Sequence, residues 1–111
     1  KAPHYFRLDN NSLNFVRLLI ELVRENRTRI DTIIQERSEN WEINRVALLD
    51  KNILRIAIAE IFFIDDIPEK VSINEAIELA KKYSTENSGK FVNGILDSIA
   101  FNKREKKHGE N

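Results

Sequence analysis

The stretch that decides the fold, residues 53–64, reads ILRIAIAEIFFI and is apolar on nearly every side. Periodicity alone does not separate a buried strand from a buried helix in such a run. Its length and its two alanines favour a helix, and Asp50 lies just upstream as a residue type that caps helix N-termini. We therefore predict a helix that begins at Lys51 and lies at the centre of a helical bundle, because it is apolar all round.

Two charged residues, Arg55 and Glu60, interrupt this apolar run. A charge on a buried helix must reach solvent or find a partner, because burying it alone is costly. In one interpretation, Arg55 extends to solvent along its methylene groups and Glu60 pairs with a neighbouring helix. In the other, the two residues mark a strip that faces a partner protein.

Upstream of this run, apolar residues recur every three or four positions between residues 13 and 34, which predicts one long amphipathic helix ending near residues 37–40. Asp9 and the polar residues up to Ser12 offer acceptors for its first amides. Trp41 then follows. It is expected to fill the joint between the long helix and the bundle, although tryptophan is also a common interface anchor.

Two further helices are predicted downstream. Ser72 and Glu75 have the spacing of a capping box, which predicts a helix that begins at Ser72. Ser88 is expected to cap the last helix, and Gly94 within it predicts close approach of another backbone, since a mid-helix glycine costs about 1 kcal/mol. The apolar period is lost near the end of the chain. We expect one helical domain over residues 1–104 and a disordered basic tail over residues 105–111.

The composition is that of a soluble globular domain with no overall positive field. Lys plus Arg number 18 and Asp plus Glu number 18, with an acidic excess in residues 41–100 and a basic excess in residues 101–111. The absence of cysteine agrees with a reducing cytoplasm. No apolar run approaches the roughly 20 residues of a membrane span. We therefore expect a cytoplasmic protein with no membrane segment.

The sequence offers little material for catalysis. The two histidines, His4 and His108, lie near the ends of the chain, outside the predicted helices. Asp65 and Asp66 precede Pro68 and have the character of turn residues. The three glycines form no phosphate-binding loop. We predict that the chain is not an enzyme and holds no metal or cofactor.

Three motifs in the second half of the chain are specific in composition and spacing. They are LRIA at 54–57, INEAIELAKKY at 73–83 and KFVNGILD at 90–97. In this order they closely resemble the C-terminal half of the NusB family of transcription antitermination factors. A weaker resemblance extends back through Trp41 to Leu13, so it covers most of the chain.

The resemblance implies an all-α fold made of two small helical bundles. It also implies a function, which is to bind the boxA element of nascent RNA together with a small-subunit ribosomal protein (NusE) that doubles as an antitermination factor. This heterodimer joins the transcription elongation complex, chiefly during ribosomal RNA transcription. Members of the family occur as monomers and as dimers, so a homodimer is also compatible with the resemblance.

The same resemblance implies the site residues. Lys90 and Phe91 match the family's positions near bound RNA, where lysine contacts phosphate and an aromatic ring stacks on a base. The alternative for Phe91 is that it is the first core residue of its helix. Asp50 matches a position that faces the protein partner in the family, and the alternative is that it is a purely structural cap. Arg55 and Asn87 are the other candidates for binding the protein partner.

The chain departs from the family in one respect: the arginine-rich first helix and its partner helix, which precede the long helix in the family, are missing. We therefore expect a NusB-like bundle without its first helices and only weak RNA binding by this chain alone. Two alternatives follow from this departure. One is a module that docks to proteins only, and the other is the RNA-recognition domain of a ribosomal RNA cytosine methyltransferase.

Overall fold

The computed structural model describes residues 9–38 and 46–109, without the side chains of residues 102 and 104–109. Within these ranges the helices are α1 (Asn10–Glu25), α2 (Arg27–Arg37), α3 (Leu48–Phe63), α4 (Glu69–Tyr83) and α5 (Glu86–Gly109). The described ranges contain no strand, and the all-α fold predicted from the sequence is confirmed. None of the described helices is long and apolar enough to cross a membrane. Trp41 lies outside the described residues.

The long first helix predicted from the sequence is divided in two at Asn26. The backbone there has φ −112° and ψ 18°, and both the backbone N–H and the side-chain amide of Asn26 donate to the Leu22 carbonyl, at 3.1 and 2.8 Å. An asparagine side chain that competes for a helix carbonyl in this way interrupts regular hydrogen bonding. α1 is capped as expected, because the Asp9 carboxylate accepts from the Ser12 N–H at 2.7 Å. This hydrogen bond lowers the pKa of Asp9.

α3 is the central helix that the apolar run predicts. Leu54, Ile58 and Ala59 are fully buried. Helices on several sides supply the other large core side chains, which are Ile30, Ile34, Ile73, Val92, Ile95, Leu96 and Ile99. α3 begins at Leu48 after Ala47, and Asp50 lies inside its first turn. The prediction that Asp50 caps this helix is therefore wrong.

α4 begins three residues earlier than its capping box predicts. Pro68 precedes its first residue, and the Pro68 carbonyl accepts from the N–H groups of Val71 and Ser72 at 2.9 and 3.3 Å. A proline beside the first turn supplies a fixed φ that suits a helix start. Ser72 is consequently an interior helix residue with 1% of its surface exposed.

The last helix is capped by Thr85 and not by Ser88. The Thr85 hydroxyl accepts from the Ser88 N–H at 3.0 Å, and the backbone carbonyl of Thr85 accepts from the Gly89 N–H at 3.1 Å. The close backbone approach predicted at Gly94 is wrong, and the crowded glycine of this helix is Gly89, which lies against a side chain. A Cβ at Gly89 would lie 2.8 Å from Cγ of Lys81, whereas nothing lies within 4 Å of a Cβ at Gly94.

The backbone of α5 continues through Gly109, where the sequence analysis expects a disordered tail from residue 105. Lysine, arginine and glutamate dominate this segment and are good helix formers even without an apolar stripe. Lys103 of α5 closes the end of α3: its ammonium donates to the Ile61 carbonyl at 2.6 Å and lies 5.6 Å from the centre of the Phe62 ring. A cation at this end also complements the helix dipole.

Candidate RNA and partner interface

A cavity of about 190 Å³ lies between the beginnings of α3 and α5. It is lined by Val46, Ala47, Asp50, Thr85, Asn87, Ser88 and Phe91. The structure thus brings together three residues that the sequence analysis singles out one by one, namely Asp50, Asn87 and Phe91. At about 30 Å³ for each water molecule, the cavity has room for a group much larger than a single water.

Asp50 contributes to the polar part of the cavity wall, together with Thr85, Asn87 and Ser88. Asp50 is 6% exposed, and its Oδ2 accepts from the Ser88 hydroxyl at 2.8 Å. Its Oδ1 is buried and has no hydrogen-bond partner among the described residues. A buried acceptor without a partner is costly, so this oxygen is well prepared to accept from an N–H or O–H group of a ligand that enters the cavity.

Three hydroxyl groups at the start of α5 hold this carboxylate in place. Because the Ser88 hydroxyl donates its proton to Asp50, it is left to accept from its two neighbours. The Thr85 hydroxyl lies 3.1 Å and the Ser84 hydroxyl 2.8 Å from Ser88 Oγ. Ser88 has this role in place of the capping role predicted for it from the sequence. The sequence signal that could have found it is the cluster of hydroxyl residues at positions 84, 85 and 88.

Lys90 and Phe91 lie in the second turn of α5, one turn later than a helix capped by Ser88 would place them. Lys90 is exposed, whereas Phe91 is half-buried and packs against the core. Phe91 lines both the cavity and an adjoining open hollow of about 360 Å³. Its ring therefore combines a packing role with a surface that faces two hollows.

Arg37 is a site residue that no motif in the sequence indicates. It lines the adjoining hollow together with Lys90 and Phe91, so α2 and α5 each contribute one cation there. The Arg37 Nε is buried and has no hydrogen-bond partner in the part of the chain that the structure describes. Two cations beside a half-buried ring make a surface suited to a phosphate and its base.

Arg55 is separated from these residues. Its guanidinium donates to both carboxylate oxygens of Asp31 on α2, at 2.8 and 3.0 Å, and to Asn52 at 3.0 Å. Arg55 is 5% exposed, so the interpretation in which it extends to solvent is wrong. Burial alone would raise the pKa of Asp31, but the hydrogen bonds and charges of Arg55 and then Arg27 outweigh it and lower that pKa.

No group of three His, Cys, Asp or Glu side chains among the described residues is arranged to hold a metal ion. His4 lies outside these residues, and the side chain of His108 is not among those described. The cavity and the adjoining hollow together offer one carboxylate oxygen that can accept a hydrogen bond, two cations and one aromatic ring.

Comparison with known proteins agrees with this architecture. The chain is 56% identical over 90 residues to the transcription antitermination protein NusB of Chloroherpeton thalassium, covering 81% of this chain and 43% of that protein. It is 47% identical over 93 residues to the protein of the same name from Natranaerobius thermophilus, covering 84% and 67%. These relatives are named as antitermination proteins and not as enzymes, in agreement with the non-enzymatic function predicted from the sequence.

Solved structures give the same result. A crystal form of NusB from Thermotoga maritima superposes with a TM-score of 0.80 at 50% identity, covering 83% of this chain and 65% of that one. A chain in the crystal structure of a plectonemic RNA supercoil superposes with a TM-score of 0.79 at 28% identity, covering 86% and 69%. The chain spans from under half to about two thirds of the length of the curated relatives it matches. The sequence profile of the NusB family matches residues 2–101, and the chain belongs to the NusB family.

Proposed function

We propose that the chain acts in transcription antitermination by binding boxA-type RNA together with a small-subunit ribosomal protein, during ribosomal RNA transcription in the cytoplasm. The observation that carries this proposal is the cavity in which Asp50, Asn87 and Phe91 meet, with Lys90 in the adjoining hollow. The names of the relatives support the process. The structural neighbour from the RNA supercoil supports RNA as a ligand.

The RNA is expected to lie over the adjoining hollow. Lys90 and Arg37 are its cations and contact phosphate, and the first turn of α5 adds the positive potential of a helix N-terminus. Phe91 offers the exposed part of its ring to an unpaired base, and the exposed amide of Asn87 lies at the same end of the helix. This arrangement joins phosphate contacts, which give affinity, to a stacking surface, which holds a single strand.

The ribosomal protein is expected to reach the Asp50 side of the cavity. The unpartnered Oδ1 of Asp50 accepts a hydrogen bond from a donor of the partner, while Ser88 keeps the carboxylate oriented. An acceptor already held in position loses little freedom on binding, so a single donor is enough to make the contact specific. Arg55 supports this surface indirectly, since its ion pair with Asp31 fixes α2 against α3.

RNA binding is tested by fluorescence anisotropy with a boxA-like RNA and a scrambled RNA of equal length, at several salt concentrations. Lys90→Ala and Arg37→Ala should each lower the affinity and reduce the salt slope by about 0.7, the value for one phosphate contact with a single strand. Lys70→Ala, which removes an exposed lysine on α4, is the matched control and should change neither. Salt slopes that do not respond to Lys90 or Arg37 would contradict the proposed site.

The two roles of Phe91 are separated by a conservative change. Phe91→Leu keeps an apolar side chain on the core but removes the ring, so it should weaken RNA binding by about 1 to 3 kcal/mol with little loss of stability. Urea denaturation of the same variant measures that stability. A loss of stability that accounts for the whole loss of RNA binding would show that Phe91 acts only in packing.

Partner binding is tested with Asp50→Asn and calorimetric titration of the ribosomal protein. Asparagine retains the shape and an acceptor for Ser88, but it replaces the charge and one acceptor oxygen. Affinity for the partner should therefore fall while the helix content stays the same. Unchanged affinity would show that the charge of Asp50 does not contribute to partner binding. Partner binding without any RNA binding, by the chain or by its complex with the partner, would favour a protein-only docking module.

A further inference from the structure

A second hollow, of about 70 Å³, lies between α3 and α4. The residues of its wall that matter here are Ile56, Glu60, Ser72, Glu75 and Leu79. None of them lines the cavity between α3 and α5 or the hollow beside it, so the proposed RNA and partner surface does not use them. Its volume exceeds that of a single water, which is enough for the end of one side chain.

The polar side chains of this hollow are two carboxylates and one hydroxyl, and no cation among the described residues pairs with either carboxylate. Glu60 is half-buried, and the sequence analysis expects it to pair with a neighbouring helix, yet neither Glu60 nor Glu75 forms an ion pair within the described part of the chain. Burial raises the pKa of Glu60, and the charge of Glu75 raises it further. Glu60 thus has a second carboxylate, that of Glu75 on α4, close enough to repel it, which is an unfavourable arrangement.

Ser72 provides an independent sign of a ligand. It is 1% exposed and lines the hollow, and its hydroxyl has no hydrogen-bond partner among residues 9–38 and 46–109. The hydroxyl lies near enough to Glu60 to counteract part of the rise in its pKa, without meeting hydrogen-bond geometry. Native structures leave few buried polar groups unsatisfied, so such a group calls for a partner.

The rim of the hollow is apolar. Ile56 and Leu79 are 44% and 45% exposed, which is high for large aliphatic side chains. Ile56 also lines an open apolar hollow against α1, and Leu79 lines another that extends along α4 to Tyr83. Exposed aliphatic side chains thus flank the carboxylates in a strip that also includes the polar side chains of Asn74, Glu78 and Lys82 along α4. A free ion gains nothing from such a strip, whereas a long side chain with a charged end buries its methylene groups there.

We propose that this hollow binds a lysine or arginine side chain of a protein partner, with its charged end between Glu60 and Glu75 and its methylene groups against Ile56 and Leu79. Charge complementarity selects this occupant. The cation compensates two carboxylates that repel each other, and it donates to the Ser72 oxygen, which has no partner in the part of the chain that the structure describes. Apolar residues that flank the cation in the partner sequence cover the rest of the strip.

The proposal is tested by NMR titration of the full 111-residue chain with two N-acetylated, C-amidated tripeptides, Leu-Lys-Leu and its norleucine analogue. The lysine peptide should shift the amide signals of Glu60, Ser72 and Glu75, and the norleucine peptide should bind about tenfold more weakly or not measurably. Equal binding of the two peptides, or shifts confined to other helices, would overturn the proposal. Equal binding of butylammonium and the lysine peptide would also overturn it, because the site would then be a general amine site.

Variants give the second measurement. Glu60→Gln and Glu75→Gln should each lower the affinity for the lysine peptide about tenfold, which is the loss expected for one charged hydrogen bond. Glu86→Gln removes the same charge from α5 and should change the affinity by less than about twofold, unless the effect is only one of net charge. RNA affinity should be the same in Glu60→Gln and Glu75→Gln as in the parent, because neither residue lines the proposed RNA surface. The result for this hollow is thereby independent of whether the proposed RNA function holds.

Discussion

The ion pair of Arg55 with Asp31 predicts an unequal response to the loss of either partner. The Arg55 side chain is 6% exposed and that of Asp31 is 27% exposed. Asp31→Ala leaves the buried guanidinium with Asn52 at 3.0 Å as its described partner. Arg55→Met leaves the carboxylate with Arg27 at 3.3 Å and in contact with water. The first change strands a buried charge and the second does not.

The magnitudes follow from this difference in burial. Removing one partner of a buried ion pair costs about 3 to 5 kcal/mol, because the other charge remains uncompensated. Asn52 still accepts from Arg55, so we expect the lower limit, about 3 kcal/mol, for Asp31→Ala. Methionine replaces the arginine stem with apolar volume, so Arg55→Met should cost about 1 kcal/mol or less. The double variant should lose about 2 kcal/mol less than the sum of the single losses.

Urea denaturation of the full chain, followed by circular dichroism, measures all three variants at neutral pH. The matched control is Arg24→Met. It breaks an exposed pair with Glu21 whose side chains are 74% and 48% exposed, and it should cost less than about 0.5 kcal/mol. Equal costs for Asp31→Ala and Arg55→Met, or strict additivity in the double variant, would refute the reasoning from burial.

Three further changes test other parts of the structure. Gly94→Ala should stabilise the chain by about 1 kcal/mol, because the added methyl meets nothing and alanine favours the helix, whereas Gly89→Ala should give no such gain in thermal unfolding. Burial and then its carboxylate neighbour raise the pKa of Glu60, so its ionisation opposes folding as pH rises through that raised pKa. The Glu60→Gln variant should therefore have a higher free energy of unfolding than the parent at neutral pH, and this difference should disappear below the ordinary glutamate pKa. Urea titrations at several pH values measure it. Ser88→Ala removes the described side-chain hydrogen bond to buried Asp50 and should cost about 1.5 to 3 kcal/mol, and an unchanged urea midpoint would contradict this.

The sequence predicts the fold class well because the dominant signal is burial. A run that is apolar all round fits only the middle of a bundle, and α3 lies there. Helix boundaries are less predictable, because several residues compete for the same role. Asp50 has the chemistry of a cap, but its carboxylate is buried and accepts a hydrogen bond from Ser88 instead. Ser72 and Glu75 have capping-box spacing, yet Pro68 starts the helix earlier.

The candidate site is predictable only in part. Resemblance to a family points to Asp50, Asn87 and Phe91, and the cavity between α3 and α5 unites them. It does not point to Arg37, because the contribution of Arg37 depends on how α2 packs against α5, which no local pattern encodes. The break at Asn26 is missed for a related reason. Asparagine occurs within helices, and nothing in the sequence shows that the Asn26 side chain donates to the Leu22 carbonyl.

α1 has a consequence for how the molecule opens. It contributes no fully buried side chain, and Asn26 already separates its hydrogen bonds from those of α2. Detaching α1 therefore uncovers only the part of the core against which Leu22 and Val23 pack, and it leaves the hydrogen bonds within α2 intact. Backbone amides of α1 should exchange with deuterium through this local opening, at a free energy well below that of global unfolding. Amides of α3 and the middle of α5, which surround the core, should exchange only when the whole domain unfolds.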